Sequence, residues 1–197
     1  MLVEHEGRSP RVDADAWVAP TAVLCGDVRV GAGARVLWSA VLADDGGFVE
    51  IGEQTIVMEH ALLRGRADHP VRLGANVIVG PHAHVNGAVV GDGAFLATGV
   101  SVFPGARVGA GAEVRINGVV HVNSSLPDDG LVPIGWVAVG DPAEVLAPER
   151  HDDIWAIQRE LDFPGTVLGI ERGSPATQAT ARYAELFGRH RDDKVVG

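Results

Sequence analysis

Aliphatic side chains recur every six residues along most of this chain, and no other feature constrains its fold as strongly. The row has seventeen members: Val18, Leu24, Val30, Val36, Leu42, Ile51, Val57, Leu63, Leu73, Val79, Val85, Val90, Leu96, Val102, Val108, Val114 and Val120. Three steps differ from six, because the step is nine after Leu42, ten after Leu63 and five after Val85. A period of six fits neither an α-helix nor an isolated alternating strand.

This period predicts a parallel β-helix, in which each hexapeptide supplies one short strand and one turn. Three hexapeptides complete a triangular coil of about 18 residues, and the aliphatic row fills its interior. The period does not specify the hand of the coil, but hexapeptide prisms are left-handed exceptions to the usual crossover rule. The predicted fold class is all-β: a left-handed parallel β-helix with C-terminal α-helices.

The two long steps and the end of the row predict irregular structure. The nine-residue step contains ADDGGFVE (43–50) and the ten-residue step contains RGRADHPVR (64–72). Both are predicted to be loops that project from the prism, where functional side chains are often found. After His121 the repeat is expected to fade into a turn-rich segment and one last irregular coil.

The C-terminal residues have a helical pattern instead. A helix should begin near Pro148, with one apolar face formed by Ile154, Trp155, Ile157 and Leu161. Phe163-Pro164-Gly165 should break this helix, and Ser174-Pro175 should cap a second one. The tail that follows is expected to be frayed. The predicted domains are therefore a β-helix over 1–147 and a helical extension over 148–197.

Composition restricts the classes of function. The formal net charge is -10, which argues against nucleic acid and membrane partners, because their phosphates would repel the chain. The one cysteine, Cys25, cannot form an intrachain disulfide, so a reducing compartment is expected. No run is long enough to span a membrane, and the first residues lack the apolar stretch of a signal peptide. We therefore expect a cytoplasmic protein.

Several features beyond the repeat resemble the γ-class carbonic anhydrase family. They are the positions of the two long steps, the short step after Val85, the GDPAEVL segment (140–146) and the helix that follows it. The resemblance covers about residues 10–160. It implies a left-handed β-helix that assembles as a homotrimer, with a zinc-type site between neighbouring prisms.

The resemblance also implies where metal ligands would lie. The family's three histidines correspond here to Arg64, Pro81 and Asn86, and its Arg-Gly-Asp sequence corresponds to Ala43-Asp44-Asp45, of which Asp45 matches. A catalytic zinc needs three protein ligands and an open position for water. Proline has no ligating side chain, and arginine carries a positive charge. We therefore expect a degenerate site with no metal cofactor and no carbonic anhydrase activity.

Arg64, at a position where the family holds a cation, favours a site for an anion. It can bind a carboxylate through two hydrogen bonds, and Asn86, one coil further along, offers an amide donor. Glu59 is the candidate general base and His82 its acid partner, so the candidate catalytic set is Glu59, His82 and Arg64. The candidate substrate-binding residues are Arg64, Asn86, Asp45, His84 and His69. Alternatively, Arg64 forms an ion pair with Glu59 or Asp45 that fills the pocket.

Two histidines are predicted to stack at one corner of the prism. His60 lies three residues after Val57, and His82 lies three residues after Val79, so they occupy equivalent positions in successive coils, about 4.8 Å apart. Two stacked imidazoles can bind a cation, and His60, His82 and His84 are the alternative ligands for zinc or iron. The other interpretation is a pair of neutral histidines bonded to backbone and water.

Four functions remain open at this point. The first is a trimeric relative of γ-class carbonic anhydrases that lacks zinc, binds a small anionic or carboxylated molecule at the subunit interface, and could do acid–base chemistry there. The second is a hexapeptide-repeat acyltransferase that uses acyl-CoA. The third is a non-catalytic scaffold or assembly subunit, and the fourth is a carbonic anhydrase with a relocated metal site. Metal content and CoA binding would distinguish them.

Overall fold

The computed structural model describes residues 1–197. Its strands are β1 (Leu2–Glu4), β2 (Arg11–Val12), β3 (Trp17–Val18), β4 (Val23–Cys25), β5 (Val28–Val30), β6 (Arg35–Val36), β7 (Val41–Asp45), β8 (Val49–Ile51), β9 (Ile56–Val57), β10 (Leu62–Arg66), β11 (Val71–Leu73), β12 (Ile78–Val79), β13 (His84–Asn86), β14 (Val89–Val90), β15 (Phe95–Leu96), β16 (Ser101–Val102), β17 (Arg107–Val108), β18 (Glu113–Val114), β19 (Val119–Val120), β20 (Ser125–Leu126), β21 (Leu131–Val132), β22 (Val137–Val139), β23 (Glu144–Leu146) and β24 (Lys194–Val195). Its helices are α1 (His151–Gln158) and α2 (Ala176–Gly188), with a π-helical turn at Pro164–Leu168 and a 3-10 helix at Arg189–Asp192.

The strands form three sheets, one on each face of a triangular prism. Sheet 1 has the order β23-β22-β19-β16-β13-β10-β7-β4-β1-β24, sheet 2 the order β2-β5-β8-β11-β14-β17-β20, and sheet 3 the order β21-β18-β15-β12-β9-β6-β3. Within the coils, neighbouring strands of a sheet are three strands apart in chain order, because each coil adds one strand to each sheet. The pairs within the coils are parallel, and only the two end pairs, β1–β24 and β22–β23, are antiparallel. The predicted left-handed parallel β-helix is confirmed.

The aliphatic row forms the interior of the prism, as predicted. Leu63, for example, pairs in register with Leu42 on one side and Val85 on the other. Every member of the row is buried except Val18, which is half-buried. Complete burial of one such side chain contributes roughly 1.5–3 kcal/mol to the free energy of unfolding. The stacked row therefore holds the coils together along the whole prism.

The loops in the two long steps are shorter than predicted. β7 and β10 extend into them and pair with each other over five residues. Gly65 has no side chain, so the backbone of the neighbouring turn can cross directly over it. The predicted loops therefore shrink to residues 46–48 and 67–70, and Asp45 and Arg64 lie on strands.

The repeat does not fade at His121. Leu126, Val132 and Ala138 continue the row at steps of six, and all three are buried. A proline directly follows each of the first two, where its restricted φ angle suits a turn at the prism corner. The prediction of irregular structure was wrong here, because turn-forming residues belong to the corners of an unbroken repeat.

The first predicted helix is confirmed with a narrower apolar face. Ile154 is buried against the last coil, and Ile157 and Leu161 pack beside it. Trp155 is exposed, so it does not belong to this face. The predicted break contains instead a π-helical turn that begins at Pro164.

The end of the chain is not frayed, contrary to expectation. α2 begins at Ala176 with Pro175, rather than Ser174, as its N-cap. β24 pairs with β1, so that Val195 lies opposite Val3. The C-terminal segment, residues 159–197, thus returns to the first coil along the outer face of sheet 1. The division into domains at residue 147 stays a prediction.

Candidate functional site

One column of side chains runs along the outer face of sheet 1, across the strands. Cys25, Ala43, Arg64 and Asn86 occupy equivalent positions on β4, β7, β10 and β13. Adjacent members are separated by the strand spacing of about 4.8 Å. Asn86 therefore lies one coil beyond Arg64, as the repeat predicts. The C-terminal segment covers this column.

Arg64 is held by one acidic and one aromatic side chain. Its Nε lies 2.7 Å from Oδ2 of Asp45, but the N–H is not aligned with that oxygen, so the contact is an ion pair without a well-formed hydrogen bond. The guanidinium carbon lies 5.1 Å from the ring centroid of Phe187 in α2. Of the two partners that the sequence left open, Asp45 is the one observed. The charge of Arg64 is thus compensated within the chain.

Asn86 and His84 lie beside Arg64 on the next strand. Asn86 is 7% exposed, and its Oδ1 accepts no hydrogen bond. Burial lowers the pKa of His84, and the charges of Arg64 and Arg66 lower it further. His84 is therefore neutral at pH 7, and it can offer a neutral N–H but no positive charge to a ligand.

The predicted pair of stacked histidines is present, but apart from Arg64. The rings of His60 and His82 have centroids 5.0 Å apart and are inclined by 7°. The backbone N–H of His82 donates to the carbonyl oxygen of Glu59 at 3.0 Å. No side-chain hydrogen bond or ion pair joins Glu59 or His82 to Arg64. The three residues of the candidate catalytic set are therefore not linked into one constellation.

A cavity of about 180 Å³ lies between the prism and the C-terminal segment. Its walls carry Arg66, Arg182 and Arg189, together with the predicted residues Asp45 and His69. The cavity also contains the acidic side chains of Asp68 and Glu185 and the ring of Tyr183. His69 thus faces a pocket within its own chain.

A second cluster of functional side chains was not predicted. The C-terminal segment brings His190 and Asp193 against His5 and Cys25, and His190 also contacts Asp45. Burial alone lowers the pKa of His190, but hydrogen bonds and charges from Asp193 and Asp45 outweigh burial and raise it. Burial, with the hydrogen bond and charge of Asp193, raises the pKa of Cys25 to about 12. The only hint in the sequence was the three-residue spacing of His190 and Asp193.

Comparison with known proteins finds relatives among the carbonic anhydrases. No protein-family model matches the chain. Gamma carbonic anhydrase 1, a mitochondrial protein of Arabidopsis thaliana, is 30% identical over 154 residues, which are 75% of this chain and 54% of that protein. A carbonic anhydrase of Geobacillus kaustophilus is 26% identical over 159 residues, which are 81% of this chain and 84% of that protein. Over about three quarters of its length, this chain is similar to γ-class carbonic anhydrases. It spans about half the length of the Arabidopsis relatives.

Solved structures support the fold of this chain. A putative acetyltransferase from Bacillus cereus has a TM-score of 0.54 at 18% identity, over 91% of this chain and 95% of that one. A hexapeptide transferase family protein from Anaplasma phagocytophilum has a TM-score of 0.50 at 22% identity, over 93% of this chain and 97% of that one. No helix of this chain is both long and apolar enough to cross a membrane. Its cytoplasmic location stays a prediction.

The residues of this chain do not fit the zinc that the γ-class resemblance implies. Arg64 brings a positive charge and is already paired with Asp45. Pro81 offers no donor atom, and a neutral amide such as Asn86 is a weak zinc ligand. No step of a zinc-hydroxide mechanism can therefore be derived from this column.

A buried histidine further along sheet 1 leads to a prediction about stability. His121 lies between Phe103 and Phe163, at centroid distances of 5.7 and 5.8 Å, and its Nδ1 has no hydrogen-bond partner. Burial lowers the pKa of His121 below the unfolded value of about 6.5. The unfolded chain then binds more protons below that pH, so the free energy of unfolding should fall as the pH drops from about 6.5.

His121→Phe should remove this contribution. We expect the variant to be more stable at pH 7 by about 1 kcal/mol, because an unpaired buried nitrogen is lost, and to lose less stability between about pH 6.5 and 5. Denaturant unfolding of both proteins at each pH measures this. The pKa of His84 is also lowered by burial, so His84→Gln should remove a separate part of this pH dependence of stability. If the free energy of unfolding of His121→Phe falls with pH as steeply as that of wild type, His121 does not cause this pH dependence.

Proposed function

We propose that this protein is a γ-class relative without the family's zinc site, and that it binds a small carboxylate or similar anion in the cavity under its C-terminal segment. One observation carries this proposal: Arg66, Arg182 and Arg189 surround one cavity in a chain with ten more acidic than basic side chains. Arginine clusters of this kind suit carboxylates, because each guanidinium offers a planar set of donors.

The charges around the cavity support an anionic ligand, because its three arginines outnumber Asp68 and Glu185 once Asp45 is paired with Arg64. Asp45 is already neutralised by Arg64 and also hydrogen-bonds with His190. Arg66 is oriented by a 2.6 Å hydrogen bond from its Nη2 to the carbonyl oxygen of Val167. Arg182 contacts Glu185 only at 3.7 Å and is largely exposed. The Arg66 side chain is thus held in place before a ligand binds, whereas the exposed Arg182 side chain is free to move towards a ligand.

The proposal includes a homotrimer, which the apolar outer face of sheet 3 supports. The outward side chains of this sheet lie in one row: Trp17, Arg35, Ile56, Ile78, Phe95, Glu113 and Leu131. Large exposed apolar patches commonly mark interfaces between proteins. His60 and His82 lie at the corner between this face and sheet 1. They would therefore border the contact between two prisms.

Ligand binding is tested by thermal unfolding with bicarbonate, acetate or malonate, at constant ionic strength set with chloride. We expect at least one carboxylate to raise the melting temperature, because a ligand at about 100 times its Kd adds roughly 2.7 kcal/mol to the free energy of unfolding. Arg182→Gln should abolish most of this rise. Arg107→Gln removes an exposed arginine on sheet 2 and is the matched control, which should keep the full rise. An equal rise in wild type and Arg182→Gln would refute binding at this cavity.

A second candidate function, a non-catalytic assembly subunit, is favoured by the cover over Arg64. Asp45 neutralises its charge and Phe187 lies over it, so this column is closed without any ligand. An assembly subunit would keep its oligomeric state and show no ligand-dependent rise in melting temperature with any carboxylate. Acetyl-CoA belongs in the same series, because a rise with it alone would favour the acyltransferase.

A further inference from the structure

We propose that His5, Cys25, His190 and Asp193 form a binding site for a transition-metal ion, with zinc as the expected occupant. Each residue offers one ligand atom, and these four atoms lie within 4.8 Å of one another. His5 and Cys25 come from the first two coils of the prism, and the other two residues come from the C-terminal segment. A metal ion here would fasten the end of the chain to its beginning.

The donor set suits zinc. Two imidazole nitrogens, one thiolate and one carboxylate are all common zinc ligands, and four protein ligands without an open position are typical of a structural site. Tetrahedral ligands at zinc bond lengths lie roughly 3.3–3.6 Å apart. Cys25 Sγ lies 3.4 Å from Asp193 Oδ2 and 3.9 Å from His190 Nδ1. Small movements of the side chains would therefore admit an ion.

The remaining contacts within the site are hydrogen bonds between the carboxylate and the two imidazoles. Asp193 lies 2.6 Å from His5 Nδ1 and 2.8 Å from His190 Nδ1. The two imidazole rings are stacked, with centroids 4.3 Å apart. A metal ion would replace the protons between these atoms, and it would release the thiol proton of Cys25 to solvent.

The surrounding residues already orient one ligand. His190 Nε2 lies 3.2 Å from Oδ1 of Asp45, which is itself paired with Arg64. A carboxylate on the far nitrogen of a histidine holds its proton there and directs the other nitrogen to the metal. His5 is 2% exposed and Cys25 is also buried, so bulk water competes little for the ion.

This site lies at the opposite end of the column from Arg64 and Asn86. Cys25 lies two strands away from Arg64 along sheet 1, about 10 Å at the usual strand spacing. It also shares no residue with the stacked pair of His60 and His82. The proposed metal therefore has a structural role and does not restore the family's zinc site.

The test uses the full chain, stripped with a chelator and titrated with Co²⁺ as a spectroscopic probe. We expect one Co²⁺ per chain, intense visible bands of tetrahedral cobalt, and a near-ultraviolet band from thiolate to cobalt. Cys25→Ser should lose the near-ultraviolet band. The double variant His60→Ala/His82→Ala is the matched control and should keep the whole spectrum. Zn²⁺ should displace the cobalt, raise the melting temperature and slow amide exchange in β24.

Three results would overturn the proposal. They are no stoichiometric uptake, a weak octahedral spectrum, or a spectrum that survives Cys25→Ser but disappears in the control variant. If Cys25→Ser does not fold, Asp193→Asn replaces it, and this variant should bind Co²⁺ at least about tenfold more weakly. Unchanged affinity in Asp193→Asn would likewise reject the site.

Discussion

Gly65→Ala should destabilise the protein by at least about 3 kcal/mol or prevent it from folding. Gly65 lies in β10 between Arg64 and Arg66, and a methyl group there would overlap the carbonyl oxygens of Gly47 and Phe48. These oxygens belong to the backbone of the turn after β7, so they cannot rotate away as a side chain can. Relief would require β7 and β10 to separate.

Denaturant unfolding measures the loss, and Gly188→Ala is the matched control. Gly188 ends α2, and a methyl group there would contact nothing within 4 Å. The control should be unchanged or slightly more stable, because alanine loses less conformational freedom than glycine on folding. Equal stability of Gly65→Ala and wild type would mean that the turn does not cross β10 as described. The arrangement of Asp45 beside Arg64 would then also be in question.

Phe95→Glu should convert the proposed trimer into single chains. Phe95 lies near the middle of the outer row of sheet 3, is 39% exposed, and is flanked by Ile78 and Glu113. A trimer through this face would bury one unpaired carboxylate per chain beside another acid, at a cost of several kcal/mol each. Light scattering should change from about three times the 20.6 kDa chain mass to the mass of one chain.

Val89→Glu is the control for the added charge. Val89 is 42% exposed, but it lies on sheet 2 between Arg72 and Arg107, where a carboxylate meets opposite charges. This variant should keep the mass of the wild type. If wild type itself has the mass of one chain, the trimer proposal fails. If Phe95→Glu remains a trimer, the interface lies on another face.

The repeating parts of this protein could be predicted because their contacts repeat. The stacking of His60 on His82 followed from two equivalent positions in successive coils, and the row through Leu63 followed in the same way. Prediction was incomplete at the two long steps, and it was wrong after His121, where the period continues. The partner of Arg64 depended on how far β7 and β10 extend into the long steps, and the turn-rich residues after His121 concealed further coils.

The amino-acid sequence by itself determined the prism, because a six-residue period of aliphatic side chains can be buried only when the chain coils in hexapeptides. The same sequence showed that Arg64, Pro81 and Asn86 are poor zinc ligands, because that depends only on residue type. Only the tertiary structure decided which polar groups meet. His5 and Asp193 are 188 residues apart, and their contact at 2.6 Å depends on β24 pairing with β1. No local pattern contains that pairing, because it forms only after the C-terminal segment has returned across the outer face of sheet 1.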